Sequence, residues 1–311
     1  MIFFEAIQEN LSIVIMITVG YLLAEKGWFN PENSRLIARL VTRISLPGLM
    51  IWNLTSSFNR ENLLGLSYGL GVPLVTILGS CVIGILLAKL IRIPKNKQGV
   101  FIAGSFGVNT IFVGLPVNLA LFGPESLPYA LLFYIANTCT FWTLGTYYIS
   151  TDGSGPRHKF LSLDTLKSFF SPPMLACLAG LFLVLTNTKL PPFLLDTCKY
   201  LGNMTTPLAM LFIGVAIHDA DIKELKLSKD MLAMFISRFA IGPAIVFLLA
   251  LIFPLPVLMK KVFVIQAAMP IMTNLSIMAA AYGADARYAA VLTSATILLS
   301  MAVIPLYMVI L

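Results

Sequence analysis

Apolar stretches of about 20 residues recur along the whole chain, separated by short polar segments that carry most of its charges. A stretch of that length is what an α-helix needs to cross the hydrocarbon core of a bilayer. Of the 311 residues, 58% are hydrophobic and 11% are charged. These are too few charged residues to cover the surface of a water-soluble domain. The sequence therefore predicts an all-α integral membrane protein whose surroundings are the lipid bilayer.

Polar and turn-forming residues delimit ten predicted membrane helices, which we number 1 to 10. Their ranges are 6–24, 32–55, 64–91, 98–122 and 126–150 in the first half, and 172–188, 191–217, 230–253, 260–282 and 286–310 in the second. The longest polar stretch, 151–171, separates a first five-helix repeat, 1–150, from a second, 172–311. We expect this stretch to be a linker, because it is too short to form a core of its own.

A weak internal repeat relates the two halves. Residues 30–52 align with residues 190–212, which places Pro31 over Pro191 and Pro47 over Pro207. Because each half has five helices, the second copy must be inverted in the membrane. Inverted repeats are typical of transporters that expose one site alternately to each side.

The distribution of basic residues predicts the orientation. Of the 21 Lys and Arg residues, fifteen fall on one predicted side and five on the other, and Arg238 lies within a helix. The positive-inside rule then puts both termini outside and the linker in the cytosol, and we expect the cell membrane as the location. The basic residues are scattered among loops rather than clustered on a face, so the net charge of +7 predicts no nucleic-acid partner.

Predicted helix 4 combines helix-breaking residues with polar side chains inside an apolar run. The breakers are Gly104, Gly107, Gly114 and Pro116, and the polar residues are Asn109, Thr110 and Asn118. A helix broken at the bilayer midplane leaves backbone N–H and C=O groups that a cavity or a ligand must satisfy, which favours a substrate site. The alternative is a proline kink with small residues for close helix packing.

Predicted helix 9 has a matching break. Pro270, Thr273, Asn274 and Ser276 lie in the middle of its apolar run. A shift close to the 160 residues of the repeat places Leu275 opposite Pro116. Two facing half-helix N-termini would direct partial positive charge at one point, which favours an anionic substrate. We therefore include Thr273, Asn274 and Ser276 in the predicted substrate site.

Two further residues are candidates for this site. Asn137 in predicted helix 5 would close it, although hydrogen bonding between helices is the alternative for polar residues of that run. Arg238 lies about eight residues inside predicted helix 8, where a charge is costly unless it is paired or hydrated. We predict that Arg238 lines the cavity and attracts an organic anion, with snorkelling to the cytosolic face as the alternative.

Several kinds of chemistry lack a signal in the sequence. HExxH and GxSxG motifs are absent, and the four cysteines show no CxxC spacing. A sodium/proton antiporter is expected to have a pair of carboxylates within the membrane. Predicted helices 3–5 and 8–10 contain no carboxylate near their midpoints. We therefore expect no enzyme, cofactor or metal. The polar residues collect at two breaks rather than along a continuous stripe, which disfavours a channel.

The segments NTIFVGLP in helix 4, QAAMP in helix 9, LPGL in helix 2 and TPLAM in helix 7 resemble the auxin efflux carrier family, which includes plant PIN proteins and bacterial permeases. The resemblance covers essentially the whole chain. It implies that broken helices 4 and 9 cross within a transport domain of helices 3–5 and 8–10. Helices 1, 2, 6 and 7 would form a scaffold, often dimeric, against which the transport domain moves in an elevator-like step.

The resemblance also implies that Asn109 contacts the substrate and that Pro116 marks the crossover. One departure concerns helix 9, where PIN proteins have a second crossover proline and this chain has Leu275. We predict a permease for a small organic anion, with malate or malonate suggested by the bacterial relatives. The alternatives are an exporter of auxin-like aromatic carboxylates, an anion channel and a membrane-embedded enzyme.

Overall fold

The computed structural model of the protein describes residues 15–29, 31–57, 67–153, 172–218 and 228–311. The ordered secondary structure of these residues is helical, and their one β-type pairing is an isolated antiparallel bridge. Most of the predicted linker 151–171 and the first residues of predicted helix 1 lie outside the described residues. The all-α prediction is confirmed for the part of the chain that the structure describes.

Thirteen continuous helices occur in the described residues, and we label them α1 to α13. In the first half they are α1 (Ile15–Glu25), α2 (31–57), α3 (Gly71–Leu90), α4 (Lys95–Phe106), α5 (Thr110–Phe122) and α6 (127–152). In the second half they are α7 (Pro172–Leu185), α8 (Pro192–Asn203), α9 (Thr205–His218), α10 (Lys229–Ile252), α11 (Val257–Ala267), α12 (Asn274–Ala281) and α13 (Ala286–Ile310). Predicted helices 4, 7 and 9 are each divided into two helices.

Three of these helices are long and apolar enough to cross a membrane. They are α3, α10 and the Ala286–Tyr307 part of α13. A helix rises 1.5 Å per residue, so about 20 residues match the hydrocarbon core of about 30 Å. The chain is therefore an integral membrane protein, as its composition predicts.

Prolines follow three of the four π-helical turns in the described residues. The turn Val41–Ser45 in α2 precedes Pro47, the turn Thr110–Gly114 in α5 precedes Pro116, and the turn Ser237–Ile241 in α10 precedes Pro243. Proline has no N–H to donate and its ring crowds the carbonyl four residues earlier, so a wider turn just before it relieves the clash. Pro116 consequently lies inside the continuous helix α5, and the predicted break falls elsewhere.

The chain divides into two compact units. Unit 1 comprises Met1–Gly69, Leu115–Pro128 and Phe170–Asp219, and unit 2 comprises Leu70–Gly114, Tyr129–Phe169 and Ala220–Leu311. Unit 1 thus contains α1, α2, α7, α8, α9 and the Leu115–Phe122 part of α5. Unit 2 contains α3, α4, α10 to α13, nearly all of α6, and the π turn that begins α5.

Close contacts at glycines hold the helices of unit 1 together. A Cβ added to Gly20 in α1 would overlap the carbonyl of Leu211 in α9, and one added to Gly214 in α9 would overlap the carbonyl of Ile17. Helix α2 packs against both α7 and α8. In a bilayer, apolar side chains gain little free energy by moving from lipid into a helix interface. Small residues stabilise helix pairs there because they allow the backbones to approach closely.

Helix α4 lies at the centre of unit 2. Its last eight residues, 99–106, are buried, and it packs against α3, α6 and α13. Gly99 permits the close approach of α4 to α6, because a Cβ there would overlap the carbonyl of Tyr148 in α6. The two carboxylate oxygens of Asp152, at the end of α6, accept hydrogen bonds from the N–H groups of Gly99 and Val100 at 2.7 and 2.8 Å.

Polar and charged side chains join two further helix ends of unit 2, those of α10 and α13, to the start of α4. Lys97 in α4 lies 3.4 Å from the carboxylate of Asp285, which also caps α13 by accepting the N–H of Tyr288 at 2.9 Å. The hydroxyl of Tyr288 donates to Asp230, at the start of α10, at 3.2 Å. The Lys97 ammonium also lies over the Tyr288 ring, 4.9 Å from its centre. These contacts connect the ends of α4, α10 and α13.

Candidate functional site

Two interrupted helices meet in unit 2 through their backbones. The segment 107–109 separates α4 from α5, and the segment 268–273 separates α11 from α12. Val108 and Ile271 form an antiparallel bridge, in which Asn109 N–H donates to Pro270 C=O at 2.9 Å and Met272 N–H donates to Gly107 C=O at 3.1 Å. We call these two segments the crossing. Each break thereby satisfies part of the other's exposed backbone, as an apolar environment requires.

The crossing lies at Val108 and Ile271, which corrects the prediction of Pro116 opposite Leu275. The interruption begins at Gly107, where α4 ends, and comes before the π turn that leads to Pro116. Leu275 is a buried residue near the start of α12. The physical reason is that the π turn accommodates Pro116 within a helix, so the proline itself does not need to break the chain.

Asn137 in α6 completes the hydrogen bonding of Val108. Its Oδ1 accepts the N–H of Val108 and its Nδ2 donates to the C=O of Val108, both at 2.9 Å. Asn137 is fully buried. Its side-chain amide binds both backbone groups of Val108, as the backbone of a neighbouring β-strand would. The structure gives Asn137 a supporting role at the crossing, and contact with a substrate remains a prediction.

Thr296 in α13 supports the other segment of the crossing. Its Oγ1 accepts the N–H of Ile271 at 3.2 Å and donates to the C=O of Thr293 at 2.9 Å. The sequence analysis did not identify this residue. Its signal was weak, because a threonine in an apolar helix more often bonds the carbonyl of its own preceding turn, as Thr296 also does.

Arg238 binds the carbonyl ends of both helices that lead into the crossing. Its Nη1 donates to Ser105 C=O at 3.0 Å, and its Nη2 donates to Ala267 C=O at 3.1 Å and to Met269 C=O at 2.9 Å. The last carbonyls of a helix lack partners within the helix and carry partial negative charge, so one guanidinium stabilises both ends.

Only 1% of Arg238 is exposed, so the snorkelling alternative is wrong. The cost of burying the charge is offset by the three carbonyls that it binds. Four of the five N–H groups of Arg238 are on Nη1 and Nη2, the two nitrogens that bind backbone carbonyls. Attraction of an organic anion by Arg238 remains a prediction.

Asn109 follows the bridge and immediately precedes the π turn Thr110–Gly114 of α5. Its Oδ1 accepts the N–H of Phe112 at 3.1 Å and its backbone C=O accepts the N–H of Gly114 at 2.9 Å. Its Nδ2 is buried and has no hydrogen-bond partner in the protein. Asn109 therefore has one amide donor available, next to the N-terminal end of a helix. Thr110, the following residue, is buried as well.

The remaining predicted site residues fall into two groups. Thr273, Asn274 and Ser276 are partly exposed and lie at the junction of the second break with α12. Pro116 and Asn118 are buried in the Leu115–Phe122 part of α5, which belongs to unit 1. The C=O of Asn118 accepts the hydroxyl of Ser126 at 3.1 Å within that unit. Seven of the nine predicted residues thus belong to unit 2.

Gln266 is a second residue that the sequence analysis did not select. It lies in the last turn of α11, is fully buried, and neither atom of its side-chain amide has a hydrogen-bond partner in the protein. Its position four residues before Pro270 was visible in the sequence. The sequence did not reveal that both polar atoms of this side chain lack a hydrogen-bond partner in the protein.

A cavity of about 360 Å³ lies in unit 1, and none of the predicted site residues is among those that line it. It is lined by Thr55 of α2, by Leu183 and Val184 of α7, and by the turn that leads to α8. Among the described residues, no group of three or more His, Cys, Asp or Glu side chains is arranged to hold a metal ion. The crossing therefore remains the candidate site.

Comparison with known proteins assigns the chain to a family. A family model described as membrane transport protein matches residues 5–308. An uncharacterized transporter from Methanocaldococcus jannaschii is 28% identical over 304 residues, which cover 96% of both chains. An uncharacterized transporter from Methanothermobacter thermautotrophicus is 26% identical over 222 residues, 70% of each chain. The chain therefore belongs to the membrane transport protein family, the family of the auxin efflux carriers that its helix 4 and helix 9 motifs resemble.

Proposed function

We propose that this protein is a secondary transporter that carries a small organic anion, such as malate or malonate, by elevator-type alternating access. Membership of a transporter family supports the transport activity. The observation that carries the choice of site is the crossing in unit 2, where two broken helices bond to each other through Val108 and Ile271.

The groups at the crossing that remain without a partner favour an anionic ligand. Arg238 binds the carbonyl ends of α4 and α11, so the negative ends of both helices are neutralised. The N-terminal ends of α5 and α12 follow the same two segments, and such ends attract anions. The unpaired Nδ2 of Asn109 adds a donor beside them. The ligand that fits these groups is a small molecule with carboxylate oxygens.

Two further observations support the proposed architecture of ten helices in two inverted repeats. The bridged residues Val108 and Ile271 are 163 positions apart, close to the 160 that separate Pro47 from Pro207. The membership of units 1 and 2 resembles the proposed division into scaffold helices 1, 2, 6 and 7 and transport helices 3–5 and 8–10. The proposal includes a cell-membrane location, both termini outside, a cytosolic linker 151–171 and a homodimer formed through the scaffold helices.

Auxin-like aromatic carboxylates are the second candidate substrates, suggested by the resemblance of the helix 4 and helix 9 motifs to the auxin efflux carriers. They carry the carboxylate that the crossing would bind, and an aromatic ring in addition. An anion channel and a membrane-embedded enzyme remain alternatives of a different class. A channel would pass current without saturation at low substrate concentration, and an enzyme would convert its ligand.

The test is electrogenic current from purified protein in liposomes on a solid-supported membrane. The applied ligands are malate, malonate, succinate and indole-3-acetate, with tracer flux measured in parallel. Asn109→Ala removes the unpaired amide donor, and Asn96→Ala is the matched control because Asn96 is exposed at the start of α4. We expect a saturable current that Asn109→Ala abolishes or reduces at least tenfold and that Asn96→Ala leaves unchanged.

Each outcome identifies one alternative. Tracer flux without current would mean electroneutral coupling, and a response to indole-3-acetate alone would favour the second candidate. Current that rises without saturation would indicate a channel. Equal currents from the unmodified protein and from Asn109→Ala would rule out the crossing as the substrate site.

A further inference from the structure

Gln266 stands out among the buried polar residues of unit 2. Several side chains there have one polar atom without a hydrogen-bond partner in the protein, whereas Gln266 has two, Oε1 and Nε2. Burying an amide without partners costs free energy that a purely structural residue of similar shape would avoid. The position therefore has a feature that packing alone does not explain.

The amide of Gln266 occupies a defined position beside the crossing. Residue 114 is glycine, and a Cβ there would overlap Oε1 of Gln266 and lie 3.0 Å from its Cδ. The amide thus fills the space that a side chain at 114 would need. The N–H of Gly114 in turn donates to the C=O of Asn109, so the amide lies against the same π turn that Asn109 precedes.

The polar groups at the crossing divide into two sets. Asn137, Thr296 and the Nη atoms of Arg238 hydrogen-bond to the backbone and hold the breaks in place. The Nδ2 of Asn109, the Nε of Arg238 and both amide atoms of Gln266 have no hydrogen-bond partner in the protein. The first set positions the backbone, and the second set is available to a ligand.

We propose that Gln266 binds the substrate through both amide atoms and selects ligands that present a hydrogen-bond donor beside an acceptor. A 2-hydroxycarboxylate does so, because its hydroxyl donates to Oε1 while its carboxylate accepts from Nε2. A protonated carboxyl does so too, because its O–H donates to Oε1 while its C=O accepts from Nε2. A simple carboxylate offers acceptors only and leaves Oε1 unpaired. This inference rests on the proposed function and refines its substrate class.

The test compares L-malate with succinate, which differ by the 2-hydroxyl group. Binding to the purified protein is measured by titration calorimetry at about pH 7.5, where both carboxyls of the ligand are ionised, and at about pH 4.5, which lies near the ordinary pKa of a carboxyl group and protonates part of the ligand. Gln266→Met removes the amide while keeping an unbranched side chain of similar size. Gln98→Met is the matched control, because the Gln98 amide binds the C=O of Ile93 at the start of α4.

We expect one of two preferences in the unmodified protein, each of about five- to tenfold, the value of one neutral hydrogen bond. A preference for malate over succinate at the higher pH identifies the 2-hydroxycarboxylate, and a gain in succinate affinity at the lower pH identifies the protonated carboxyl. Gln266→Met should remove that preference, and Gln98→Met should retain it at the same pH. The melting temperature of Gln266→Met should equal or exceed that of the unmodified protein, because the variant no longer buries an unpaired amide.

The proposal is overturned if Gln266→Met leaves both affinities within twofold of the unmodified values. It is also overturned if the variant loses binding together with several degrees of melting temperature, which would mean that the amide supports the fold through a bound water. Asn109→Ala separates this failure from that of the proposed function. Binding that is lost in Asn109→Ala but kept in Gln266→Met overturns the present proposal alone, whereas an unmodified protein that binds neither acid overturns both.

Discussion

The side chain of Asn137 hydrogen-bonds to both backbone groups of Val108, accepting from its N–H and donating to its C=O at 2.9 Å each. Val108 lies where α4 has ended and the next helix has not begun, so its own helix provides no partner for these groups. In an apolar environment an unpaired backbone group costs several kcal/mol. One side-chain amide on a neighbouring helix therefore stabilises the break between α4 and α5.

Replacement of Asn137 by alanine should destabilise the protein because it leaves the N–H and C=O of Val108 unpaired. We expect a loss of about 2–6 kcal/mol, from about 1–3 kcal/mol for each of the two buried groups. Thermal unfolding of the detergent-solubilised protein measures it. Asn203→Ala, at the exposed end of α8, should change the melting temperature little. Equal melting temperatures for the two variants would contradict the supporting role of Asn137.

Replacement of Arg238 should release the ends of α4 and α11 together. Arg238→Met leaves three buried carbonyls without their donor, so we expect a loss of about 3 kcal/mol or more. Arg238→Lys keeps the charge but has a single nitrogen, which cannot reproduce the fork that binds both helix ends. Its stability should lie between those of the unmodified protein and Arg238→Met.

Size-exclusion chromatography after heating measures the stability of the Arg238 variants. The exposed Arg39 in α2 provides the control, and Arg39→Met should behave as the unmodified protein. If Arg238→Lys and Arg238→Met were as stable as the Arg39 variant, the guanidinium would not hold the helix ends.

A methyl group at position 99 should separate α4 from α6. A Cβ on Gly99 would overlap the carbonyl of Tyr148, which is backbone and cannot rotate away. We expect Gly99→Ala to cost about 1–3 kcal/mol or more, the usual range for overpacking. Gly71→Ala is the control, since a Cβ at Gly71 would meet no atom within 4 Å. In the first turn of α3 the alanine should be neutral or stabilise the helix slightly.

The carboxyl of Asp152 should make stability depend on pH. Burial raises its pKa to about 6 from the ordinary value of 3.8, and the hydrogen bonds from Gly99 and Val100 only partly oppose this rise. Asp152 lies just beyond predicted helix 5. Because the folded protein binds this proton more tightly than the unfolded chain, the stabilisation is complete below about pH 4 and is lost as pH rises to about 6.

The melting temperature should therefore fall by a few degrees over this interval, and Asp152→Asn should remove that part of the dependence. Asp196→Asn, at an exposed position in α8, should keep the pH dependence of the unmodified protein. A melting curve for Asp152→Asn that follows pH as steeply as the unmodified protein would show that other groups are responsible.

The sequence determined that the chain enters a bilayer and that predicted helices 4 and 9 are interrupted. Both conclusions depend on local properties. The apolar runs of α3, α10 and α13 are long enough to span lipid, and glycine or proline next to asparagine weakens a helix wherever it occurs. The family resemblance is local as well, because NTIFVGLP and QAAMP are each an unbroken stretch of sequence.

The tertiary structure decided where the breaks lie and what holds them. Val108 and Ile271 are apolar residues without any sequence signal, and they bridge because α4 and α11 bring their ends together. The partners of Arg238 and Asn137 are backbone groups, which every residue possesses, so no side-chain pattern could predict them.

Pro116 and Gln266 show two ways in which a prediction from sequence alone differs from the structure. A conspicuous proline lies inside a helix because a π turn accommodates it, whereas an ordinary glutamine has its amide unpaired beside the crossing. The physical reason is that hydrogen-bond satisfaction is a property of the assembled fold, since the partners of Asn137 and Arg238 come from segments distant in sequence.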